Sequence, residues 1–196
     1  LRLLARVILG LTILGIAAGV WFSIIDAGKF EFDLGFFLSF CLFPIIGYIL
    51  AIRRPDNAIS WLMLGIGAAL GLSAFVGSYA SYAINGGVGG YHLGAIALAF
   101  DQPMWVPIVG LPATFLILLF PDGHLPSPRW RWFAWVLGIS MVITFLAILF
   151  GPGRFEESAF PNVVNPLGSE ALRPVLAVAT GSIVMLPIGV IGSLVS

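Results

Sequence analysis

The chain has 196 residues, 60% of them apolar and only 9% charged, with nine basic side chains against nine acidic ones and a mean hydropathy of +1.08. A soluble domain carries about a quarter charged residues, and a globule this small keeps much of its surface wet, so these proportions exclude a water-soluble fold. The balanced charge gives no basic surface for nucleic acid, and the single Cys41 excludes an intrachain disulfide framework or a multi-cysteine metal site.

The first predicted helix covers about residues 3–25, with Arg2 and Arg6 ahead of its apolar run. That run is too long for a signal peptide and more apolar segments follow, so a retained signal-anchor helix is expected. Gly15 and Gly19 give it a short small-residue stripe. IDAGKFEFD then leads to a second span at about 35–52, and RRPDN separates that from a third at 58–84. Arg53 and Arg54 end the second helix, Asp56 or Asn57 behind Pro55 caps the third, and Trp61 anchors its first turn.

Small residues recur every four along the third helix: Gly65, Ala69, Ser73, Gly77 and Ser81. Such a stripe lets another helix approach closely. It serves packing within one bundle or dimerisation between two copies. NGGVGGYHLG leads to a fourth span at 95–120. Its GGVGG has no following Lys-Ser/Thr and no preceding strand, so it reads as a loop and not a phosphate cradle.

Asp101 stands alone in the run AIALAFDQPMW, close in sequence to His92 and Trp105, with Tyr79 and Tyr82 at the same end of the preceding helix. An ionisable residue at membrane depth is a functional candidate. Two readings stand. Asp101 caps a helix beginning at Pro103, at the interface, or it lines a sensing pocket with those four neighbours. Pro103, Pro107 and Pro112 each free a backbone carbonyl and can bend this helix.

FPDGHLPSPRWRW joins the fourth span to a fifth at 132–151. Pro121, Asp122 and Gly123 form a tight turn, and Pro126 and Pro128 stop the helix from continuing. Ser127 is expected to cap the next helix with Pro128 at its first position. His124 has only Asp122 beside it, too few ligands for a metal. GPGRFEESAFPNVVNPLGSEALRP leads to a sixth span at 175–196. The sequence starts at Leu1 and stops at Ser196 inside an apolar run, so a piece of a longer protein is expected.

Each span has the roughly 20 apolar residues that a bilayer requires. Lipid leaves exposed strand edges unsatisfied, and the alternation of a barrel is missing. The expected fold is all-α: one polytopic domain of six transmembrane helices in a bundle. With both termini in the cytoplasm, Arg2, Arg6, Arg53, Arg54, Arg129 and Arg131 face in and only Lys29, Arg154 and Arg173 face out. This agrees with the positive-inside tendency. Most acids, Asp26, Glu31, Asp33, Glu156, Glu157 and Glu170, then face out. The lipid bilayer is the expected partner, with a second copy or a larger membrane complex beside it. No catalytic constellation, cofactor motif or metal cluster is expected.

RRPDNAISWLMLGIG after an apolar helix and LLFPDGHLPSPRWRWFAWV further on together resemble the N-terminal membrane region of bacterial sensor histidine kinases of the type common in actinobacteria and Chloroflexi. That family shows Arg-Arg-Pro-x-Asn-Pro-Ile-Gly-Trp and Leu-Phe-Pro-Asp-Gly-Arg-Leu-Pro. Here Ala58 and Ser60 replace the Pro and Gly of the first motif, and His124 replaces the Arg of the second. The resemblance covers about residues 40–140, and more loosely NPLG at 165–168. It implies a sensing and anchoring half of a signalling protein in the bacterial inner membrane, without catalysis of its own, whose two motifs are scaffold or signal-coupling loops. Two other functions are weighed: an accessory subunit of a membrane complex, and a small transporter.

Overall fold

The computed structural model describes residues 1–27, 34–125, 127–156, 158–174 and 176. Within these the chain is helical: α1 Arg2–Ala27, α2 Leu34–Arg53, α3 Ala58–Ile84, α4 Gly90–Leu119 and α5 Trp130–Leu149, then a single 3-10 turn at Glu170–Leu172. No strand occurs among the described residues; the nearest to one is a lone antiparallel bridge between Arg154 and Val164. α1, α3, α4 and α5 are long and apolar enough to cross a membrane, and α2 is apolar over Cys41–Arg53. The predicted sixth span beyond Leu176 lies outside the described residues, as do Lys29, Glu31, Asp33, Pro126 and Glu157.

Two boundaries differ from those expected. α4 starts at Gly90 instead of residue 95, because Gly89 and Gly90 take positive φ (98° and 64°) and close the turn early. α5 starts at Trp130 and Ser127 does not cap it with its side chain; Arg129 occupies the cap position. The backbone carbonyls of Ser127 and Pro128 instead accept from Trp130 N–H at 3.1 Å and Arg131 N–H at 3.3 Å, forming a turn ahead of the helix.

α3 is the centre of the packing, and α1 lies along its length in parallel register with it. Ala5 is buried with Ala51 and Leu64 near one end. In the middle, the Gly15 backbone sits on the Gly71 carbonyl and the Gly19 backbone on the Ala74 carbonyl, closer than any Cβ would permit. Further along, the Phe22 ring contacts Tyr79 edge-on at 5.3 Å and Tyr82 at 5.2 Å. Asp26 finishes the seam, accepting from Ser81 Oγ at 2.5 Å and Asn85 Nδ2 at 3.0 Å. Small residues thus replace side-chain interdigitation with backbone contact, the main source of helix association in lipid. α2 joins through Gly47, packed on Met63 and Leu64, and through Pro44, whose ring fills the space left at Gly67.

α4 is not wound evenly. It is α-helical over Gly90–Asp101, 3-10 over Gln102–Met104, π over Val106–Gly110 and Pro112–Leu116, and α again over Ile117–Leu119. Proline has no N–H and its ring crowds the carbonyl four residues back, so Pro103, Pro107 and Pro112 push the winding away from the α pattern. α4 still packs on α3, with Met104 and Ile108 against Leu70, and on α5, with Val106 against Met141.

The chain after α5 folds back over the end of the bundle. Phe155 and Val163 are buried with Ala80, Ala95, Leu98 and Leu149. Buried Asn165 holds this loop: its Nδ2 donates to the carbonyls of Leu149 and Gly151, both at 2.9 Å, and its Oδ1 accepts from Leu167 N–H at 3.0 Å. Those carbonyls belong to the open end of α5, which has no intrahelical donors left.

Candidate functional site

The α2–α3 turn and the α4–α5 turn meet at the arginine-bearing end. Asn57 caps α3: its Oδ1 accepts from Ile59 N–H at 2.9 Å, and its carbonyl accepts from Ser60 Oγ at 2.6 Å. Trp61 Nε1 donates to the Pro55 carbonyl at 2.7 Å, tying the turn to the first helical turn. The other turn starts with a cis Phe120–Pro121 bond, and Gly123 N–H donates to the Leu119 carbonyl at 2.8 Å. Gly123 is buried with φ +77°, and a Cβ there would overlap the Asn57 amide and approach Ala58 N at 3.2 Å. Glycine is needed on both counts. The two motifs, some 65 positions apart in the sequence, therefore form one junction. Arg53, Arg54, Pro121, Asp122 and His124 stay exposed around it. His124 Nδ1 lies 3.0 Å from the Asp122 carbonyl, a contact within its own turn.

Asp101 lies within α4, at the start of its irregular stretch. It does not cap a helix with its side chain. Its Oδ1 accepts from Ser73 Oγ at 2.7 Å, and Gly77 clears room for the carboxylate, since a Cβ there would be 3.0 Å from Oδ2. The expected pocket of Asp101, His92, Tyr79, Tyr82 and Trp105 is not assembled. Tyr79 and Tyr82 turn to Phe22, Tyr79 Oη donates to the Val88 carbonyl at 3.2 Å, and His92 and Trp105 are exposed. More than two helical turns separate His92 from Asp101, which carries His92 to the loop end of α4.

The stripe on α3 divides among neighbours. Ser73 and Gly77 serve Asp101 on α4, Ser81 serves Asp26 on α1, Ala69 packs beside Leu70 and Met104, and Gly65 has no described residue within 4 Å of a would-be Cβ. The close approach to α1 is instead made by Gly71 and Ala74, two positions off the stripe and one beyond it. Sequence reasoning missed Gly71 and Asn85, and reached Asn165 only as part of the loosely matched NPLG. The available signals were a further glycine in a glycine-rich helix and a polar side chain directly before Pro166. Among the described residues no three His, Cys, Asp or Glu side chains come together as a metal would require.

Over the described residues the fold is all-helical, with four helices fit to span a membrane, one of which carries a half-buried carboxylate within its length and a locked turn just past its C-terminal end. No protein-family model, curated protein or solved structure matches the chain.

Proposed function

We propose that this chain is the sensing and anchoring membrane domain of a bacterial signalling protein, with α4 as the element that moves. In this reading it crosses the inner membrane six times, α2 and the 175–196 segment included, with both termini and all six clustered arginines in the cytoplasm. The arginine asymmetry supports that orientation. The observation that carries the proposal is the construction of α4. Asp101 binds Ser73 partway along the helix, Gly123 is locked on Asn57 just past its C-terminal end, and most of the winding between them is 3-10 and π, with an α stretch at Ile117–Leu119. Hydrogen-bond geometry is poorer in 3-10 winding than in an α-helix, and mid-helix 3-10 and π stretches often mark functional hinges. A change at Asp101, in charge or in contact, then reaches the cytoplasmic junction through one helix.

Hydrogen–deuterium exchange of the purified chain in nanodiscs tests this. Asp101→Asn keeps the shape and removes the charge. Faster exchange at Leu119–Leu125, including the Gly123 N–H, is expected in the variant. Identical exchange there, with a changed rate only beside residue 101, overturns the coupling.

A further inference from the structure

An apolar groove of about 540 Å³ runs between α4 and α5, lined by Val106, Pro107, Leu111 and Phe115 on one side and Met141 and Phe145 on the other. Its volume lies in the roughly 300–1,000 Å³ range of ligand sites. Helices pack closely when regular ridges meet regular grooves. The π-wound stretches of α4 supply no such ridge, and they are the stretches that line this space. A second cavity of about 330 Å³ lies beside it toward the arginine end, lined by Leu125, Arg131, Ala134 and Trp135.

The two cavities share Phe115 and Gly138. Gly138 is unlike the packing glycines of α1 and α3. Among the described residues a Cβ there would meet only the tip of Phe115, at 3.7 Å, an ordinary contact. Among the described residues no helix backbone requires a glycine at this point, and a larger side chain would take up space on the wall that the two cavities share. At the mouth, Arg131 is exposed and makes no ion pair among the described residues, and Trp135 is 68% exposed.

We propose that these two adjoining cavities together bind an anionic phospholipid of the surrounding bilayer, one acyl chain lying between α4 and α5 and the phosphate held by Arg131. An arginine guanidinium grips a phosphate with two parallel N–H bonds, and an exposed tryptophan is most stable at headgroup depth. Charge decides between occupants. The apolar segment 177–196 contains no acidic residue, so it brings no partner to Arg131. A zwitterionic lipid brings its own cation to the same spot. The anionic lipid alone satisfies both the apolar groove and the free guanidinium. This site is independent of the sensing role of Asp101.

Native mass spectrometry of the full chain tests the site, using an equimolar mixture of phosphatidylglycerol and phosphatidylcholine with identical chains. The wild-type chain should retain phosphatidylglycerol about tenfold over phosphatidylcholine, the size expected of a charge-assisted contact. Arg131→Gln and Gly138→Leu should each bring the ratio near one, whereas Arg54→Gln should leave it in place. Val142→Trp fills the groove from its exposed side and replaces Gly138→Leu should that variant not fold. No preference in the wild-type chain overturns the proposal. Loss of preference in Arg131→Gln but not in either groove-filling variant also overturns it, since the arginine would then act as a surface charge without a groove. A cross-link from Gly138→Cys, in a Cys41→Ser background, to the 177–196 segment overturns it too, by assigning the groove to the chain itself.

Discussion

Gly71→Ala adds one methyl group where α1 and α3 touch backbone to backbone. The new Cβ would stand 2.7 Å from the Thr12 carbonyl oxygen and 2.9 Å from Thr12 Cα. Neither atom belongs to a side chain that can swing aside. Ordinary contact begins near 3.5 Å, so the helices must part by about 0.7 Å, and a gap of that size forfeits a quarter to a half of each contact's dispersion energy. The separation is resisted on both sides of Gly71, by Ala5 against Leu64 and by Asp26 against Ser81 and Asn85. Overpacking of this kind costs about 1–3 kcal/mol. At about 2–4 °C per kcal/mol for a chain of this size, a cost near the middle of that range lowers the melting temperature by about 4–8 °C. The assay is thermal unfolding in one detergent, followed by intrinsic tryptophan fluorescence. Gly10→Ala is the control, since no described residue lies within 4 Å of its would-be Cβ; it should melt with the wild type. If Gly71→Ala also melts with the wild type, the α1–α3 seam is not held by backbone contact.

Gly123→Ala puts a side chain at φ +77° and onto the Asn57 amide; the left-handed backbone alone costs about 1–2 kcal/mol, so this variant should melt several degrees low and expose the α4–α5 turn to protease. Asn165→Leu strands the Leu149 and Gly151 carbonyls, at about 1–3 kcal/mol for each buried group left without a partner; limited proteolysis should then cut within 151–169 before any other region. A cysteine at position 124, in a Cys41→Ser background, should react with a membrane-impermeant maleimide only in inverted vesicles or after permeabilisation; labelling in intact cells refutes the proposed orientation.

The membrane-length helices were legible because lipid imposes one constraint on every span, a long run of apolar residues, and α1, α3, α4 and α5 all meet it. A cap for α3 at Asp56 or Asn57 was legible for a similar reason, since a short polar side chain before an apolar run has one obvious local use; the structure makes it Asn57. What resisted reading was pairing. Nothing local to Gly123 names Asn57 as its neighbour, and nothing in the five stripe positions tells which face α1 chooses. Period-four spacing marks a row of small residues, but Gly67, Gly71 and Ala74 form other rows on the same helix, and long-range packing selects among them. Asp101 shows the same limit. Its depth and solitude marked it, yet its partner is Ser73, a hydroxyl assigned from sequence to helix packing, and the nearby tyrosines serve Phe22. The early start of α4 came from backbone conformation at Gly89 and Gly90, in a run of glycines that gave no sign of where the turn would close.

Pulsed electron spin resonance between labels at positions 56 and 124, both exposed and on opposite sides of the Asn57–Gly123 junction, measures the far end of α4 directly. Two chains are compared in nanodiscs, one with Asp101 and one with Asn at that position, each carrying Cys41→Ser. Coupling along α4 requires the distance distribution to lengthen or broaden in the Asp101→Asn chain while the melting temperature stays unchanged. Superimposable distributions at equal stability would mean that Asp101 and the cytoplasmic junction are separate features of the bundle, and that α4 does not carry a signal between them.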